Sequence, residues 1–186
     1  MLIYYAVFVF PVIALLSAVL YLPFFLAHRK EKYSKLYHLS RYALIGCALS
    51  LLYLTILWYY PDITFRPEYY FWNLRPFVWL TQVYEMGMRR MLEQLITNVV
   101  MFVPLGFLLP VVFQKLRRFL PALGTVTSVT LLIEITQFFI GRSADIDDVI
   151  MNAAGGALGY GLYCLLNRNL SVKLWWQHLL GTPLAK

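Results

Sequence analysis

The sequence predicts an all-α membrane protein, a polytopic bundle of about five transmembrane helices formed by a single domain. Of its 186 residues, 61% are hydrophobic and only 13% are charged, whereas soluble domains have roughly 45–50% apolar and about 25% charged residues. Apolar segments long enough to cross a hydrocarbon core of about 30 Å recur along the chain. They lie at Leu2–Ala27, Leu39–Tyr60, Leu95–Phe113, Phe119–Ile140 and Val149–Leu166. Because the alternating pattern of a membrane β-barrel is absent, we expect these spans to be helices.

The basic residues lie mostly on one side of the predicted membrane. The net charge of +7 would, in a soluble protein, suggest a nucleic-acid partner. Here the loops Arg29–Arg41 and Lys115–Arg118, with the tail after Leu166, hold most of the 16 Lys and Arg residues. Positive loops face the cytoplasm, so we expect the N-terminus outside and the C-terminus inside. Membrane lipid is therefore the expected partner, and no nucleic-acid partner is predicted.

One long connection, Pro61–Glu93, separates the second and third predicted spans. Within it, Asn73–Phe77 reads as a turn, because the residue before a proline avoids the helical region. From Trp79 onward, apolar residues recur at helical spacing with polar residues between them. This pattern predicts an amphipathic helix along the outer interface. A plain connector packed on the bundle, a lid over a substrate and a lipid contact are the alternatives for this helix.

A polar group interrupts the apolar sequence in the stretch 125–159. On the fourth span, polar residues recur at intervals of three and four, so they share one helix face. They are Thr127, Thr130, Glu134, Gln137 and Gly141. On the fifth span, Asp148 and Asn152 share a face with Gly155, whose lack of a side chain permits close helix contact. Since only a short turn joins the two helices, we expect antiparallel neighbours whose polar groups meet at the outer end.

The predicted site gathers polar side chains from three spans and from the loops beside them. Its candidate ligand-binding residues are Arg75, Asn98, Glu134, Gln137, Arg142, Asp145, Asp148 and Asn152. Glu134 lies about 9 Å below the predicted membrane boundary, at a rise of about 1.5 Å per residue. An ionisable group at that depth costs on the order of 2–3 kcal/mol unless it is paired. We therefore expect Glu134 to face the bundle and to pair with Arg142.

Each of these residues also has a purely structural interpretation. Glu134 and Arg142 would then form a buried ion pair, and Asn152 would hold two helices together. An acid at Asp147 or Asp148 would cap the last helix, because acids suit a helix N-terminus. Against this, several polar groups converge at one end of a chain otherwise short of them. Ionisable residues inside a membrane favour a functional interpretation.

Three kinds of chemistry fit the predicted site. Glu134 or Asp148 would act as a general acid or base, and Arg75 or Arg142 would bind a phosphate or carboxylate. Acids in the turn would offer the oxygen ligands that Ca²⁺ and Mg²⁺ prefer, but their D-x-D-D spacing does not specify a metal site. These acids are Asp145, Asp147 and Asp148. The sequence contains no G-x-S-x-G nucleophile motif, no zinc spacing and no phosphate loop, so neither a metal nor a cofactor is predicted.

Four blocks of this sequence resemble the VanZ-like family of small bacterial membrane proteins. They are N-L-R-P-F (Asn73–Phe77), N-V-V-M-F-V-P-L-G-F-L-L-P (Asn98–Pro110), I-E-I-T-Q (Ile133–Gln137) and G-R-S-A-D-I-D-D-V-I-M-N-A-A-G-G-A-L-G-Y (Gly141–Tyr160). The blocks define a motif core at 73–161 within a single domain, 1–186. The resemblance points to Asn98, Pro104, Gly106, Glu134, Gln137, Arg142, Asp145, Asp148, Asn152 and Gly155. It implies a biological setting, because the family is named after low-level resistance to teicoplanin, a glycopeptide with a lipid tail.

Residues and resemblance together favour a resistance protein of the bacterial cell membrane. Its outward-facing polar site would bind a lipid-anchored ligand, either the lipoglycopeptide drug or a lipid-linked cell-wall precursor. The alternative is a membrane enzyme that modifies an outer-leaflet lipid or cell-wall precursor by carboxylate acid/base chemistry, and the sequence leaves that choice open. A transporter is less favoured, because the spans show no internal repeat.

Overall fold

Long helices dominate the computed structural model, which describes residues 4–31, 33–58, 72–79 and 87–182. The helices in these ranges are α1 (Phe10–His28), α2 (Lys35–Thr55), α3 (Met88–Val112), α4 (Phe119–Phe139), α5 (Ile146–Leu170) and α6 (Leu174–Leu179). A π-helical turn, Tyr5–Val9, precedes α1, and a 3-10 turn, Gln114–Leu116, follows α3. Two short strands, β1 (Trp72–Asn73) and β2 (Ala144–Asp145), pair in parallel. The predicted all-α membrane bundle fits this architecture.

Four of the described helices are long and apolar enough to cross a membrane. These segments are Val7–His28, Met88–Val112, Phe119–Phe139 and Ile146–Leu170. Helix α2 has a comparable length of 21 residues, but Lys35, His38 and Arg41 make its first turns more polar. The protein is thus a multi-pass membrane protein, while the predicted count of five spans stays a prediction.

Helix α3 begins seven residues before the predicted start of its span at Leu95. Gly87 precedes it with a φ of 83°, a left-handed conformation that glycine adopts without steric cost. Residues 88–93, predicted to belong to a separate interfacial helix, are therefore the first turns of α3, which has 25 residues. At about 1.5 Å per residue, its length of roughly 37 Å exceeds a hydrocarbon core of about 30 Å. Residues 80–86 of the predicted interfacial helix lie outside the described residues.

Helices α3 and α5 pack with their backbones in direct contact. A Cβ atom added to Gly155 would overlap the carbonyl of Val99, and one on Gly159 would overlap the carbonyl of Val103. The same applies to Gly106 against the carbonyl of Gly156. Small residues at such positions let membrane helices approach closely. The predicted glycine face of α5 is thus confirmed, and α3 is the helix that it approaches.

The end of the bundle opposite the predicted site contains two features that the sequence did not predict. The short helix α6 follows α5, and its Trp176 is only 1% exposed. Arg41, assigned above to a cytoplasmic loop, lies inside α2, with its guanidinium carbon 3.4 Å from the centre of the Tyr37 ring. Arg41 was counted with the basic loop and also lay within the predicted span Leu39–Tyr60. The helix begins earlier, at Lys35, because Ser34 caps it before the basic residues end.

Candidate functional site

The predicted polar residues meet where the C-terminal ends of α2 and α4 approach the N-terminal part of α5. There they enclose a small cavity of about 60 Å³. Its polar lining consists of Thr55, Asn98, Glu134, Gln137, Arg142, Asp148 and Asn152. Leu54, Met101 and Ile133 complete the wall. Six of the eight predicted ligand-binding residues therefore line one cavity, and their role in binding a ligand stays a prediction.

Glu134 is the most deeply placed carboxylate of this cavity, and its side chain is 5% exposed. Its Oε2 accepts a hydrogen bond of 2.9 Å from the backbone N–H of Asp145. The expected partner, Arg142, lines the same cavity and donates from Nη1 to the carbonyl oxygen of Thr55 at 3.3 Å. A backbone donor in the turn after α4 thus holds Glu134, and Arg142 supplies a positive charge nearby.

Gln137 fixes the end of α4 against the end of α2. It lies one turn beyond Glu134, is 5% exposed, and donates from Nε2 to the Thr55 carbonyl at 2.9 Å. Gln137 and Arg142 therefore converge on one carbonyl oxygen near the end of α2, where helix carbonyls lack intrahelical partners. This contact joins α2 to the site.

Asp148 and Asn152 bring α5 into the cavity from the opposite side. Asp148 accepts through Oδ1 a short hydrogen bond from the side-chain amide of Asn98 on α3. Asn152, 3% exposed, donates from Nδ2 to the hydroxyl oxygen of Thr130 at 2.7 Å. Its Oδ1 is buried and has no hydrogen-bond partner within the described part of the chain. Asn152 thus links α4 and α5, as the structural interpretation expected, but with a free acceptor.

Asp145 and Asp147 form hydrogen bonds around the N-terminus of α5 and do not line the cavity. Asp145 is the N-cap of α5: its Oδ1 accepts from the N–H of Asp147 at 2.8 Å, while Oδ2 accepts from Asn73 Nδ2 at 3.1 Å. Asp147 accepts the backbone N–H groups of Phe77 and Val78 at 2.6 and 2.9 Å. Helix capping was predicted for Asp147 or Asp148, but Asp145 performs it. The acidic turn therefore ties the 72–79 segment to α5.

This use of the acidic turn bears on the metal and anion candidates. All four carboxylate oxygens of Asp145 and Asp147 accept hydrogen bonds. Among the described residues, no group of three or more His, Cys, Asp or Glu side chains could hold a metal ion. Arg75 is exposed and does not line the cavity. The anion-binding role predicted for Arg75 stays a prediction.

Two larger cavities adjoin the polar one. A groove of about 340 Å³ between α2 and the start of α3 is lined by Arg90, Glu93, Gln94, Thr97 and Trp58, among others. An apolar cavity of about 480 Å³ lies among α1, α2 and α3. Leu54 and Met101 line all three spaces. The polar cavity, the groove and the apolar cavity therefore adjoin one another at these two residues.

Several site residues were not predicted from the sequence. Thr55 takes part through its backbone carbonyl, which no side-chain pattern reveals. Asn73 and Trp79 reach the acidic turn from a distant segment. The N-L-R-P-F block was the one signal for this contact, and its asparagine indeed pairs with Asp145. Backbone partners and long-range pairing explain these omissions.

The lining determines what the cavity can do chemically. Two carboxylates and a free amide oxygen accept hydrogen bonds, and one guanidinium donates them. No Ser, Cys or His side chain is among the lining residues. The cavity is therefore suited to binding a small polar group, or to moving a proton.

A bundle of long apolar helices with a buried carboxylate site at one end defines a polytopic membrane protein with an intramembrane polar site. The sequence model of the VanZ/LLP1 family matches residues 4–167, and the chain therefore belongs to this family. A curated relative, Protein VanZ of Enterococcus faecium, is 43% identical over 82 residues, which cover 44% of this chain and 50% of the relative. The match thus spans half the length of that relative. No solved structure matches the chain.

Proposed function

We propose that this protein contributes to glycopeptide (teicoplanin) resistance by binding a lipid-anchored drug or cell-envelope ligand at its polar site. The observation that carries the proposal is the meeting of three cavities at Leu54 and Met101. A lipid-anchored molecule combines a polar head with an apolar chain, and these cavities offer a place for each. Membership of the VanZ/LLP1 family and the name of the Enterococcus relative support the resistance setting.

The proposed membrane arrangement has five spans and places the polar site at the extracellular face. Helix α2 is the span added to the four most apolar helices, since its 21 residues rise about 32 Å at roughly 1.5 Å each. Lys35 and Arg41 lie at its N-terminal end, where basic side chains reach the cytoplasmic interface. Thr55, at its other end, then belongs to the outer leaflet together with Glu134.

Cysteine labelling tests this arrangement. Ser143 lies in the turn between α4 and α5, so the variant Ser143→Cys should react with a membrane-impermeant thiol reagent added to intact cells. The background should carry Cys47→Ala and Cys164→Ala, since both thiols are native. Labelling that requires opened cells would place the site in the cytoplasm and refute the outward orientation.

A resistance assay tests the binding proposal. Glu134→Gln keeps the shape of the side chain and removes its charge, and Asp148→Asn does the same on α5. We expect cells producing either variant to lose teicoplanin resistance while the protein still inserts at normal abundance. Glu31→Gln, an exposed acid at the other end of the bundle, is the matched control and should retain resistance. Full resistance in both site variants would refute the proposal.

A second candidate is an envelope-modifying enzyme, because Glu134 and Asp148 line the same cavity. One carboxyl group would accept a proton while the other donates one. Mass spectra of lipids and cell-wall precursors from cells with and without the protein test this alternative. A new or missing species that depends on Glu134 would favour an enzyme, and identical spectra would exclude one acting on these pools.

A further inference from the structure

We infer that the Glu134 cavity takes a primary ammonium group, and that its ligand is an amine-bearing membrane lipid. This inference rests on the proposed function and names the ligand class of the same site. Its starting observation is the carboxamide of Asn152. That side chain is 97% buried, lines the cavity and donates to Thr130, while its Oδ1 has no partner within the described residues.

A buried acceptor without a partner requires a hydrogen-bond donor. Leaving it unpaired costs free energy that a donating ligand would recover. Thr130 does not line the cavity, so Nδ2 of Asn152 points away from it and Oδ1 is the free end. The cavity therefore calls for a ligand that donates, which excludes a phosphate or carboxylate as the group bound at this position.

The other lining groups also favour a cationic donor. Glu134 accepts a hydrogen bond from the backbone N–H of Asp145, and Asp148 accepts one from Asn98. A carboxylate offers about four acceptor sites. Arg142 supplies the single guanidinium of the lining. With both acids ionised, one negative charge is in excess. An ammonium group carries one positive charge and three donors without an acceptor, which matches this set.

Size limits the group further. At about 60 Å³, the cavity holds only a few water molecules. An aminomethyl group fits this space, whereas a trimethylammonium group offers no N–H donor and is larger. Arg90 lines the adjoining groove of about 340 Å³, where it would meet the phosphate of the same lipid. The apolar cavity beside Leu54 and Met101 would take an acyl chain.

A series of lipids that differ only in the methylation of the amine tests the inference. The full-length protein would be placed in nanodiscs that contain phosphatidylethanolamine, its N-methyl and N,N-dimethyl derivatives, or phosphatidylcholine, with phosphatidylglycerol as a lipid without an amine. Native mass spectrometry would count the retained lipid. We expect retention to fall with each methyl group, with about a tenfold preference for phosphatidylethanolamine over phosphatidylcholine, the ratio typical of one hydrogen bond to a charged group. Equal retention, or stronger retention of phosphatidylglycerol, whose donors are hydroxyl groups, would overturn the inference.

A paired variant separates recognition from folding. Thr130→Val combined with Asn152→Leu removes both partners of one hydrogen bond and keeps the branching of both side chains, so the helices should remain packed. The preference should fall toward equality, because one acceptor is lost. Asn169→Leu, on an exposed turn of the same helix, should keep the full preference. An unchanged preference in the double variant would also overturn the inference.

The two proposals fail independently of each other. If the lipids are retained equally while Glu134→Gln abolishes resistance, the ammonium inference falls and the resistance site stands. If the preference is present while Glu134→Gln leaves resistance intact, the lipid site stands and its link to resistance falls.

Discussion

The two ends of the helix bundle both bury polar groups, but they do so in opposite ways. At the α6 end, the charged groups are half-buried guanidinium groups that donate to backbone carbonyls. Arg41 donates to the carbonyls of Leu179 and Val112 at 3.4 Å, and Arg117 donates to Leu180 at 3.0 Å. Cations suit these positions, because helix C-termini carry unpaired carbonyls and partial negative charge.

At the Glu134 end, the buried charges are carboxylates, and their pairing is incomplete. Backbone N–H groups satisfy part of Glu134, Asp145 and Asp147. Asn152 Oδ1 and the indole N–H of Trp79 nevertheless stay unpaired within the described residues. The α6 end is therefore a structural joint, in which the guanidinium groups pair with backbone carbonyls. The Glu134 end keeps hydrogen-bonding groups that are unpaired within the described residues. Variants at the two ends should consequently lose different properties.

The largest effect on stability is expected at the α6 end, from Trp176→Ala. This side chain is 1% exposed and donates from Nε1 to Asn167 at 2.9 Å. Its removal should lower the free energy of unfolding by about 3–5 kcal/mol, as for large aromatic residues in cores. Denaturant titration in detergent measures this change. Trp175→Ala, at a residue 48% exposed, is the control and should change stability by less than about 0.5 kcal/mol.

If Trp176→Ala leaves stability unchanged, the α6 end is not a structural joint and the comparison of the two ends fails. If Trp176→Ala lowers stability while the folded protein still prefers phosphatidylethanolamine, the α6 end contributes to folding and not to binding.

A smaller loss is expected midway between the two ends, from Gly159→Ala. The new Cβ would overlap the carbonyl of Val103, so α3 and α5 must separate at a cost of about 1–3 kcal/mol, as in overpacked cores. The melting temperature in detergent checks this. Gly161→Ala meets nothing within 4 Å and should be neutral or stabilising by about 0.5–1 kcal/mol. The same loss in both variants would contradict the close packing of these helices.

The last expected effect is confined to one segment at the Glu134 end and leaves the rest of the bundle unchanged. Asp147→Asn replaces a carboxylate that accepts two backbone N–H groups by an amide with one oxygen acceptor. The 72–79 segment should lose about 1–3 kcal/mol of local stability, the typical value for a hydrogen bond to a charged group. Hydrogen exchange at Phe77 and Val78 should accelerate, while exchange in α6 should not change. Unaltered exchange at Phe77 would show that Asp147 does not hold this segment.

Much of this site was predictable, because helical spacing fixes which side chains share a face. Intervals of three and four placed Thr130, Glu134 and Gln137 together, and all three are buried. The partners were less predictable. The pairing of Glu134 with Arg142 stays a prediction, and the hydrogen bond that Glu134 accepts from a backbone N–H in the following turn was not predicted. Such bonds depend on how the turn closes, which residue types alone do not specify.

The helix bounds and the α6 end show a second limit. Hydropathy placed the start of the third span at Leu95, whereas the helix begins at Met88, directly after Gly87. Arg41 was counted with the basic loop because a run of basic residues precedes it in the sequence. Its guanidinium donates to the carbonyls of Leu179 and Val112, which are distant in sequence, and no local pattern contains such a tertiary contact.

Photo-crosslinking at the two ends tests the central claim most directly, namely that the Glu134 end alone is a binding site. A photoreactive amino acid would replace Leu54, which lines all three cavities, or Val172 at the α6 end, which is 79% exposed. The adducts formed in living cells would be identified by mass spectrometry. We expect a lipid-linked adduct at Leu54 that Glu134→Gln reduces about tenfold, as the loss of a charged hydrogen bond predicts, and no such dependence at Val172. An adduct at Leu54 that is equally abundant with and without the Glu134 charge would contradict the claim.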